Sequence, residues 1–261
     1  MIRKKLYILI AILSIVLLST TGYAQNPNQK AKMILEKFFA KYEILFSDMA
    51  KSTNTAICKM SIKGAGRLDT GSKSSTNAPL LIDTKAEFYV ANPSKMCINL
   101  KGNMGNVSIV VPDKKPMAAI ALFPDSKQFA NIVVPQRMFG GVNPSNREKF
   151  WQGNTLNYVG LLDTKQGKAH KIIIKSTKPI EKKVTTIFIL DRKWDPVRIE
   201  YSDPKSGSTV VDFDQILLNT SIPPEKFIPN TKGYTQVSRE QLTGILMMNI
   251  MASTMIKKPI K

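Results

Sequence analysis

The stretch that decides the fold is Val184-Thr-Thr-Ile-Phe-Ile-Leu-Asp-Arg-Lys-Trp-Asp-Pro-Val-Arg-Ile-Glu-Tyr-Ser-Asp-Pro-Lys-Ser-Gly207, which continues as Ser208-Thr-Val-Val-Asp-Phe-Asp-Gln-Ile-Leu-Leu-Asn219. Runs of strand-forming residues, separated by turn residues, predict strands over 183–191, 196–203 and 207–218. The join Asp203–Gly207 has the composition of a hairpin turn. Because no helix intervenes between these strands, they indicate an antiparallel sheet and not βαβ units.

The same pattern extends towards the N-terminus. From Thr55 to about Gly66 apolar and polar residues alternate, as in a half-buried strand. Turn residues separate further strands predicted over 80–91, 95–101, 106–111, 117–123, 156–163 and 168–176, the last two joined by a hairpin turn at Asp163–Gly167. The stretch 125–155 contains Pro135, Gly140-Gly141, Pro144 and a capping box from Ser145 to Glu148, and it predicts an irregular helical insertion.

Helices are predicted at both ends of this β-rich region. Residues 27–51 carry apolar side chains at helical spacing, with lysines at the other positions. A second helix is predicted over 239–256, where Ser238 and Gln241 have the spacing of an N-terminal cap and the segment is rich in methionine.

The first 24 residues have the layout of a secretory signal peptide. Arg3, Lys4 and Lys5 precede an apolar run over 6–18, and small residues then lead to a cleavage site after Ala24. The alternative, an uncleaved membrane anchor, is disfavoured because a transmembrane helix needs roughly 20 apolar residues. The sequence therefore predicts export to the periplasm.

The chain is strongly basic. It has 261 residues with 38 Lys+Arg, 19 Asp+Glu and one His, and its net charge is +19. Cleavage after Ala24 removes three positive charges and no acids, which lowers +19 to +16. A hydrophobic content of 43% excludes a disordered chain. Export argues against nucleic acid as a partner, and the scattered lysines favour general attraction to anionic surfaces.

Catalytic signatures are few. The sequence has no phosphate-binding loop or dinucleotide fingerprint, so we expect no cofactor. Two cysteines and one histidine are too few for a four-ligand zinc site, so we expect no metal. His170 is predicted to face solvent from a strand. Asp212 and Asp214 share a strand face, but paired acids without a pocket do not indicate a glycosidase. We therefore expect no enzyme activity.

The two cysteines could form a disulfide in an oxidising compartment. Cys58 lies on the apolar face of its strand, whereas the alternation around Cys97 places it on the other face. The sequence leaves both outcomes open.

Several segments together resemble the LolA-like family of periplasmic outer-membrane lipoprotein carriers. The resemblance covers roughly residues 30–236. It rests on the quoted stretch, on the segment Ile222-Pro-Pro-Glu-Lys-Phe227, and on two upstream segments, Phe88-Tyr-Val-Ala-Asn-Pro-Ser-Lys-Met-Cys-Ile98 and Ala121-Leu-Phe-Pro-Asp-Ser-Lys-Gln128.

The resemblance implies a mainly β fold, in which a curved antiparallel sheet forms an unclosed half-barrel and helices cover its concave face. It divides the chain into a signal peptide (1–24), the half-barrel domain (25–237) and a Met-rich C-terminal extension (238–261). It also implies an apolar cavity for acyl chains, and the residues expected to line it are Phe38, Tyr42, Leu45, Met96, Phe139, Phe150 and Trp151. The alternative is that these aromatic and aliphatic residues form a filled core.

One position departs from the family. Carriers of this kind have an arginine before the proline of the strand–Pro–strand segment, where it helps to latch the helical lid. Asn92 stands at the matching lid-latch position here. A latch of that kind would be absent or built from other residues.

The function implied is a carrier or binder of a lipid or an acylated lipoprotein, which works by sequestration without chemistry. Its partners would be the acyl chain, an inner- or outer-membrane protein and, transiently, a membrane surface. The alternative is an envelope-stress regulatory or sensory module that contacts an anti-sigma-type or other membrane partner. An enzyme acting on envelope polymer, with Asp212 and Asp214 as its acids, is a third hypothesis.

Overall fold

The protein is described by a computed structural model over residues 27–46, 55–67, 79–91, 95–103, 105–112, 118–133, 144–177, 183–204, 207–238 and 241. Within these ranges the elements are α1 (Pro27–Phe46), β1 (Thr55–Arg67), β2 (Pro79–Ala91), β3 (Lys95–Gly102), β4 (Gly105–Val111), β5 (Ala118–Phe123), β6 (Gln128–Val133), α2 (Pro144–Gln152), β7 (Asn154–Thr164), β8 (Gly167–Ser176), β9 (Val184–Leu190), β10 (Pro196–Asp203), β11 (Gly207–Leu218), a 3₁₀ helix (Pro224–Phe227) and β12 (Thr235–Gln236).

The described strands form one open sheet. Their order is β12-β6-β5-β4-β3-β2-β1-β11-β10-β9-β8-β7, and the sheet does not close into a barrel. Every pairing is antiparallel except that of β12, whose two residues run parallel to β6. The long β1–β11 pairing, from Ala56 opposite Leu218 to Gly66 opposite Gly207, joins the two halves of the sheet. The predicted fold, a mainly β unclosed half-barrel, is confirmed.

Helix α1 lies on the concave side of the sheet, against β7, β8 and β9. Its buried side chains pack with Ile172, Ile187 and Ile189 in one cluster. The helical members of that cluster are Ala31, Ile34, Leu35, Phe38, Phe39 and Tyr42. They follow the 3.6-residue period of the sequence, because one face of an amphipathic helix must be buried against another element.

The prediction of an irregular helical insertion over 125–155 is only partly right. It is not helical throughout, since its beginning forms strand β6, which pairs with β5 across the turn at 124–127. Ala130 and Ile132 point to one side of the sheet and Phe129 to the other, and this alternation is that of a strand. The helix signal later in the same stretch is confirmed by α2.

The segment after β11 covers the convex side of the first half of the sheet. Phe227 is buried there against Tyr89, Cys97, Val110 and Leu122, with Ile222 and Tyr234 beside it. At the end of this segment Gln241 N–H donates to Ser238 Oγ at 3.2 Å, and Ser238 N–H donates to Gln241 Oε1 at 2.8 Å. These are the two hydrogen bonds of the predicted cap.

The disulfide considered from the sequence is absent. Cys58 and Cys97 are both buried free thiols. Cys58 stands opposite Ile216, which packs towards α1, whereas Cys97 packs against Phe227 on the other side. Side chains on opposite faces of one sheet cannot reach each other, so no bond forms.

Several predicted features lie outside the described residues. They are the signal peptide over 1–24, the latch position Asn92, Phe139, and the C-terminal helix beyond Gln241; the side chain of Leu45 is likewise not described. In the part of the chain that is described, no helix is both long and apolar enough to cross a membrane.

Candidate functional site

The concave face of the first half of the sheet consists of apolar residues in rows that cross several strands. One row runs from β11 to β6 through directly paired residues: Ile216, Cys58, Phe88, Ile98, Ile109, Ala121 and Ala130. It spans six interstrand spacings of about 4.8 Å, or about 29 Å along the sheet. Each leaflet of a bilayer core is about 15 Å thick, so the row is long enough for an acyl chain.

Two neighbouring rows lie on the same face. One contains Leu218, Ala56, Val90, Met96 and Val111, and the other contains Phe213, Met60, Ala86, Leu100 and Val107. By the alternation of each strand, no charged residue faces this side in the described parts of β1 to β6, where Thr84 and Gln128 are the polar exceptions. We call this surface the apolar face.

The middle of the apolar face is incompletely packed. Phe88, Val90, Ile98 and Leu100 are half-buried and belong to none of the buried clusters formed by the described residues. Such a cluster lies on each side of them, one beneath α1 and one around Ala121, Phe123 and Ala130 on β5 and β6. Large apolar side chains between two packed regions form a surface that an apolar ligand can cover.

The residues predicted to line a cavity divide into two groups. Phe38 and Tyr42 are 6% and 1% exposed, and they lie in the filled cluster beneath α1. Phe150 and Trp151 of α2 pack edge-on against each other at 4.9 Å, and Phe150 lies 5.7 Å from Phe39. Met96 lies on the apolar face. The aromatic residues of α1 and α2 thus pack as in the alternative of a filled core, whereas Met96 packs against Val111 and Ala119 at the border of the incompletely packed surface.

The lysines of α1 fasten the helix to the sheet and to α2. Lys30 lies 4.4 Å from the ring of Tyr158, Lys37 lies 4.5 Å from the ring of Trp194, and Lys32 lies 5.5 Å from the ring of Trp151. A cation above an aromatic face contributes about 0.5–1 kcal/mol at an exposed site. These lysines therefore do more than solvate the outer side of the helix.

The carboxylate of Asp195, in the β9–β10 turn, binds two residues in the C-terminal part of helix α1. Lys41 Nζ lies 2.5 Å from Asp195 Oδ1 and donates a second hydrogen bond to the Lys193 carbonyl at 2.8 Å. The Tyr42 hydroxyl donates to the same Asp195 oxygen. Burial, together with this hydrogen bond, raises the pKa of Tyr42 well above its ordinary value. The helix thus has a polar latch, built from Lys41, Tyr42 and Asp195.

His170 lies beneath helix α1, and the prediction that it faces solvent is wrong. It is 8% exposed and does not face solvent. Its ring stacks on Trp194 at 6.0 Å, its Nε2 lies 3.1 Å from Asp191, and its Nδ1 lies 3.1 Å from the Tyr158 hydroxyl. Burial lowers its pKa, the Asp191 carboxylate opposes that effect, and the charges of Lys30 and Lys37 reinforce it.

Trp194 occupies an unusual backbone conformation. Its φ is 58°, a left-handed value that costs a bulky residue about 1–3 kcal/mol. Its indole contacts both Lys37 of the helix and the His170 ring, which stacks on it. The helix and the strained turn therefore stabilise each other.

A separate polar cavity of about 630 Å³ lies between the β7–β8 turn and strands β1, β2, β10 and β11. It contains both acids of the enzyme hypothesis. Asp212 is held by Arg198 at 2.6 Å, and Asp214 accepts a hydrogen bond from Ser61 at 3.2 Å. Each carboxylate thus has a structural partner. Across the described residues, no group of three or more His, Cys, Asp or Glu could hold a metal ion.

Sequence reasoning missed most of the apolar face. Phe88, Val90, Ile98 and Leu100 lie in strands that were predicted correctly, so their period-2 alternation was visible. The alternation could not show which faces of neighbouring strands lie on the same side of the sheet. The latch residue Asp195 had no signal of its own, because it lies 154 residues from Lys41.

Comparisons with known proteins are consistent with the fold but distant. No protein-family model matches the sequence, and no curated protein matches it. An uncharacterized conserved protein from Thermus thermophilus is 13% identical with a TM-score of 0.46, over 81% of this chain and all of that one. A LolA superfamily protein from Nitrosomonas europaea is 9% identical with a TM-score of 0.34, over 76% of this chain and 97% of that one. The MucA/MucB complex of Pseudomonas aeruginosa contains a chain that is 10% identical with a TM-score of 0.45, over 77% of this chain and 63% of that one. Each superposition is partial.

Proposed function

We propose that the protein binds the acyl chain of a lipid or of a lipid-modified protein on its apolar face and carries it through the periplasm. The observation that supports this is the absence of charge over the described concave side of β1 to β6, together with the half-buried side chains in its middle. A surface of this kind has no charged group to hold a hydrophilic ligand but offers a large area to hydrocarbon.

The energetics suit such a ligand. Each methylene removed from water contributes about 0.8 kcal/mol, so a chain of about 14–16 carbons could contribute on the order of 10 kcal/mol before the costs of association. Burial of the four half-buried side chains against that chain adds to this. Sequestration therefore needs no chemical step, and no cofactor takes part.

Helix α1 is the element that we assign to control of access. It lies next to the apolar face, and polar contacts from Lys30, Lys37 and Lys41 hold it in addition to its buried apolar side chains. Polar contacts near the surface are weak individually and exchange readily with water. Their loss would let the helix shift, and the buried aromatic cluster would then favour its return.

Export and charge complete the proposal. The N-terminal 24 residues would direct the chain to the periplasm, and the basic mature protein would be attracted to anionic leaflets. N-terminal sequencing of protein recovered from the envelope fraction tests this step. A mature N-terminus at Gln25 is expected, and an intact N-terminus in the cytoplasm would contradict it.

The central experiment is native mass spectrometry of the protein purified from its own envelope, followed by uptake of a palmitoylated peptide. Lipid adducts and saturable uptake are expected. Leu100→Asp places a charge on the apolar face, whereas Lys101→Asp places the same charge on the next residue, which is exposed on the opposite face. Only Leu100→Asp should abolish uptake. If both variants bind as the parent does, the ligand does not lie on this face.

A regulatory module is the second candidate, and the edge strand of the sheet formed by the described residues favours it. Strand β7 ends the sheet order, and Val159, Leu161 and Leu162 on it are 41–47% exposed. Such an edge can accept an extended segment of another protein as an additional strand. Capture of a membrane protein's periplasmic segment by the parent chain, lost on Leu161→Lys, would support this role over that of a carrier.

A further inference from the structure

One polar atom on the apolar face has no partner. Thr84 is 4% exposed, and its hydroxyl oxygen Oγ1 makes no hydrogen bond to any of the described residues. By strand alternation, Thr84 lies on the same side of β2 as Ala86, Phe88 and Val90. A buried hydroxyl without a partner is unfavourable, so such a group in a native protein calls for an explanation.

The local structure holds this hydroxyl in place. Gly102 is the direct cross-strand partner of Thr84, and a Cβ atom at Gly102 would lie 2.5 Å from Thr84 Oγ1 and 2.3 Å from the Asp83 carbonyl oxygen. The hydroxyl therefore occupies the space that any other residue at position 102 would fill. A glycine is required here because the two strands approach closely at this pair.

The neighbouring turn fixes the backbone of β2 beside Thr84. Asn103 Oδ1 accepts a hydrogen bond from the Asp83 N–H at 3.0 Å, and the Asn103 N–H donates to the Asp83 carbonyl at 3.1 Å. The Asn103 side-chain amide donates to the Leu81 carbonyl at 2.6 Å. The backbone that carries the hydroxyl therefore needs little further ordering when it meets a ligand, and a fixed backbone favours a specificity contact.

We propose that the Thr84 hydroxyl donates a hydrogen bond to the carbonyl oxygen of an acyl group, so that the apolar face selects acyl chains over plain alkyl chains. This inference rests on the proposed function and names the chemical class of its ligand. An acyl ester, thioester or amide carries one acceptor oxygen next to its hydrocarbon chain, which matches one donor on an otherwise apolar surface.

The dimensions of β2 agree with this placement. Thr84 and Val90 are six residues apart, which is about 20 Å along a strand. Ala86, Phe88 and Val90 line that path on the apolar face. A carbonyl at Thr84 would therefore leave room for the hydrocarbon to run along β2 between β1 and β3.

The side chain best able to make room at Thr84 is Met60. It lies opposite Ala86, one row from Thr84, and it is half-buried. Methionine is unbranched and adapts to irregular spaces, so its movement can open the hydroxyl to a ligand.

The test uses two probes that differ only in the carbonyl: one short peptide carrying either an S-palmitoyl or an S-hexadecyl cysteine. Affinities of both for the full mature chain are measured for the parent, Thr84→Val, Thr84→Ser and Thr186→Val. Thr186 is a matched control, because it is also a buried threonine. Its neighbour in sequence, Ile187, faces α1, so Thr186 faces the side of the sheet opposite to the apolar face. Urea unfolding confirms that each variant folds, and Thr84→Val should be at least as stable as the parent because no hydrogen bond is lost.

The parent should bind the acyl peptide about three- to tenfold more tightly than the alkyl peptide, as expected for one hydrogen bond. Thr84→Val should remove that preference without changing the affinity for the alkyl peptide, Thr84→Ser should keep it, and Thr186→Val should leave both affinities unchanged. Retention of the acyl preference by Thr84→Val would overturn the assignment of Thr84. Failure of the parent to bind either peptide would instead contradict the proposed function.

Discussion

Asp195 joins the β9–β10 turn to helix α1, because one of its oxygens lies 2.5 Å from Lys41 Nζ and also accepts the Tyr42 hydroxyl. Lys41 and Asp195 are about one-third exposed, whereas Tyr42 is fully buried. The Lys41 and Tyr42 contacts to Asp195 therefore contribute unequally to stability. An ion pair that water can reach contributes little, but a buried hydroxyl deprived of its acceptor is costly.

We expect Asp195→Ala to lower the free energy of unfolding by about 1–3 kcal/mol, since it leaves the Tyr42 hydroxyl unpaired. Asp195→Asn keeps an acceptor oxygen and removes only the charge, so its loss should be about 1 kcal/mol or less. Urea unfolding measures both, and amide exchange should show faster opening of α1 in Asp195→Ala. Equal stability of the two variants would show that the Tyr42 contact is unimportant.

Stability should depend on pH through His170, the one histidine of the chain. Its pKa is lowered in the folded state from 6.5, first by burial. The unfolded chain therefore takes up a proton at a higher pH than the folded chain does. The contribution of the neutral His170 to the stability of the fold is complete above about pH 6.5 and declines as the pH falls through and below that value.

The measurement is the urea midpoint between about pH 7.5 and pH 5.5, for the parent and for His170→Gln. The parent should lose stability across this range, and the variant, although less stable at neutral pH, should show a flatter profile. An NMR titration of the His170 ring checks the direction of the shift. A titration midpoint above the ordinary value of 6.5 would contradict the assignment.

Both thiols should be unreactive in the native protein. Burial, and then the charge of Asp214, raises the pKa of Cys58 to about 12, and burial likewise raises the pKa of Cys97. Because the thiolate is the reactive form, modification by a thiol reagent at about pH 8 should be slow and should become complete in denaturant. The intact mass should show two free thiols in protein isolated without reductant, whereas a mass lower by two hydrogens would reveal a disulfide.

Gly102→Ala should be strongly destabilising. Its Cβ would meet the Asp83 carbonyl at 2.3 Å, and a backbone atom cannot move aside as the end of a side chain can. We expect a loss of about 1–3 kcal/mol by urea unfolding. Lys101→Ala, at the exposed preceding residue, is the control and should change the stability by less than about 0.5 kcal/mol.

The sequence predicted nearly every strand of this protein, because alternation and turn residues are local signals. It missed β6, whose short alternating run was obscured by the prolines, glycines and aromatic residues that follow it. It placed His170 at the surface, because a lone histidine in a strand carries no sign of the ring that will stack on it. Trp194, which buries that ring, comes from a turn further along the chain.

What the sequence determined by itself was the mainly β, antiparallel character of the chain, the amphipathic character of α1 and the residue layout from which an export signal is proposed for the first 24 residues. These follow from periodicity and composition, which depend only on neighbouring residues. The tertiary structure decided which strand faces combine into the apolar face, that Cys58 and Cys97 lie on opposite sides, and that Thr84 has no partner. Each of these depends on strand register, and a shift of one residue would exchange the two faces of a strand.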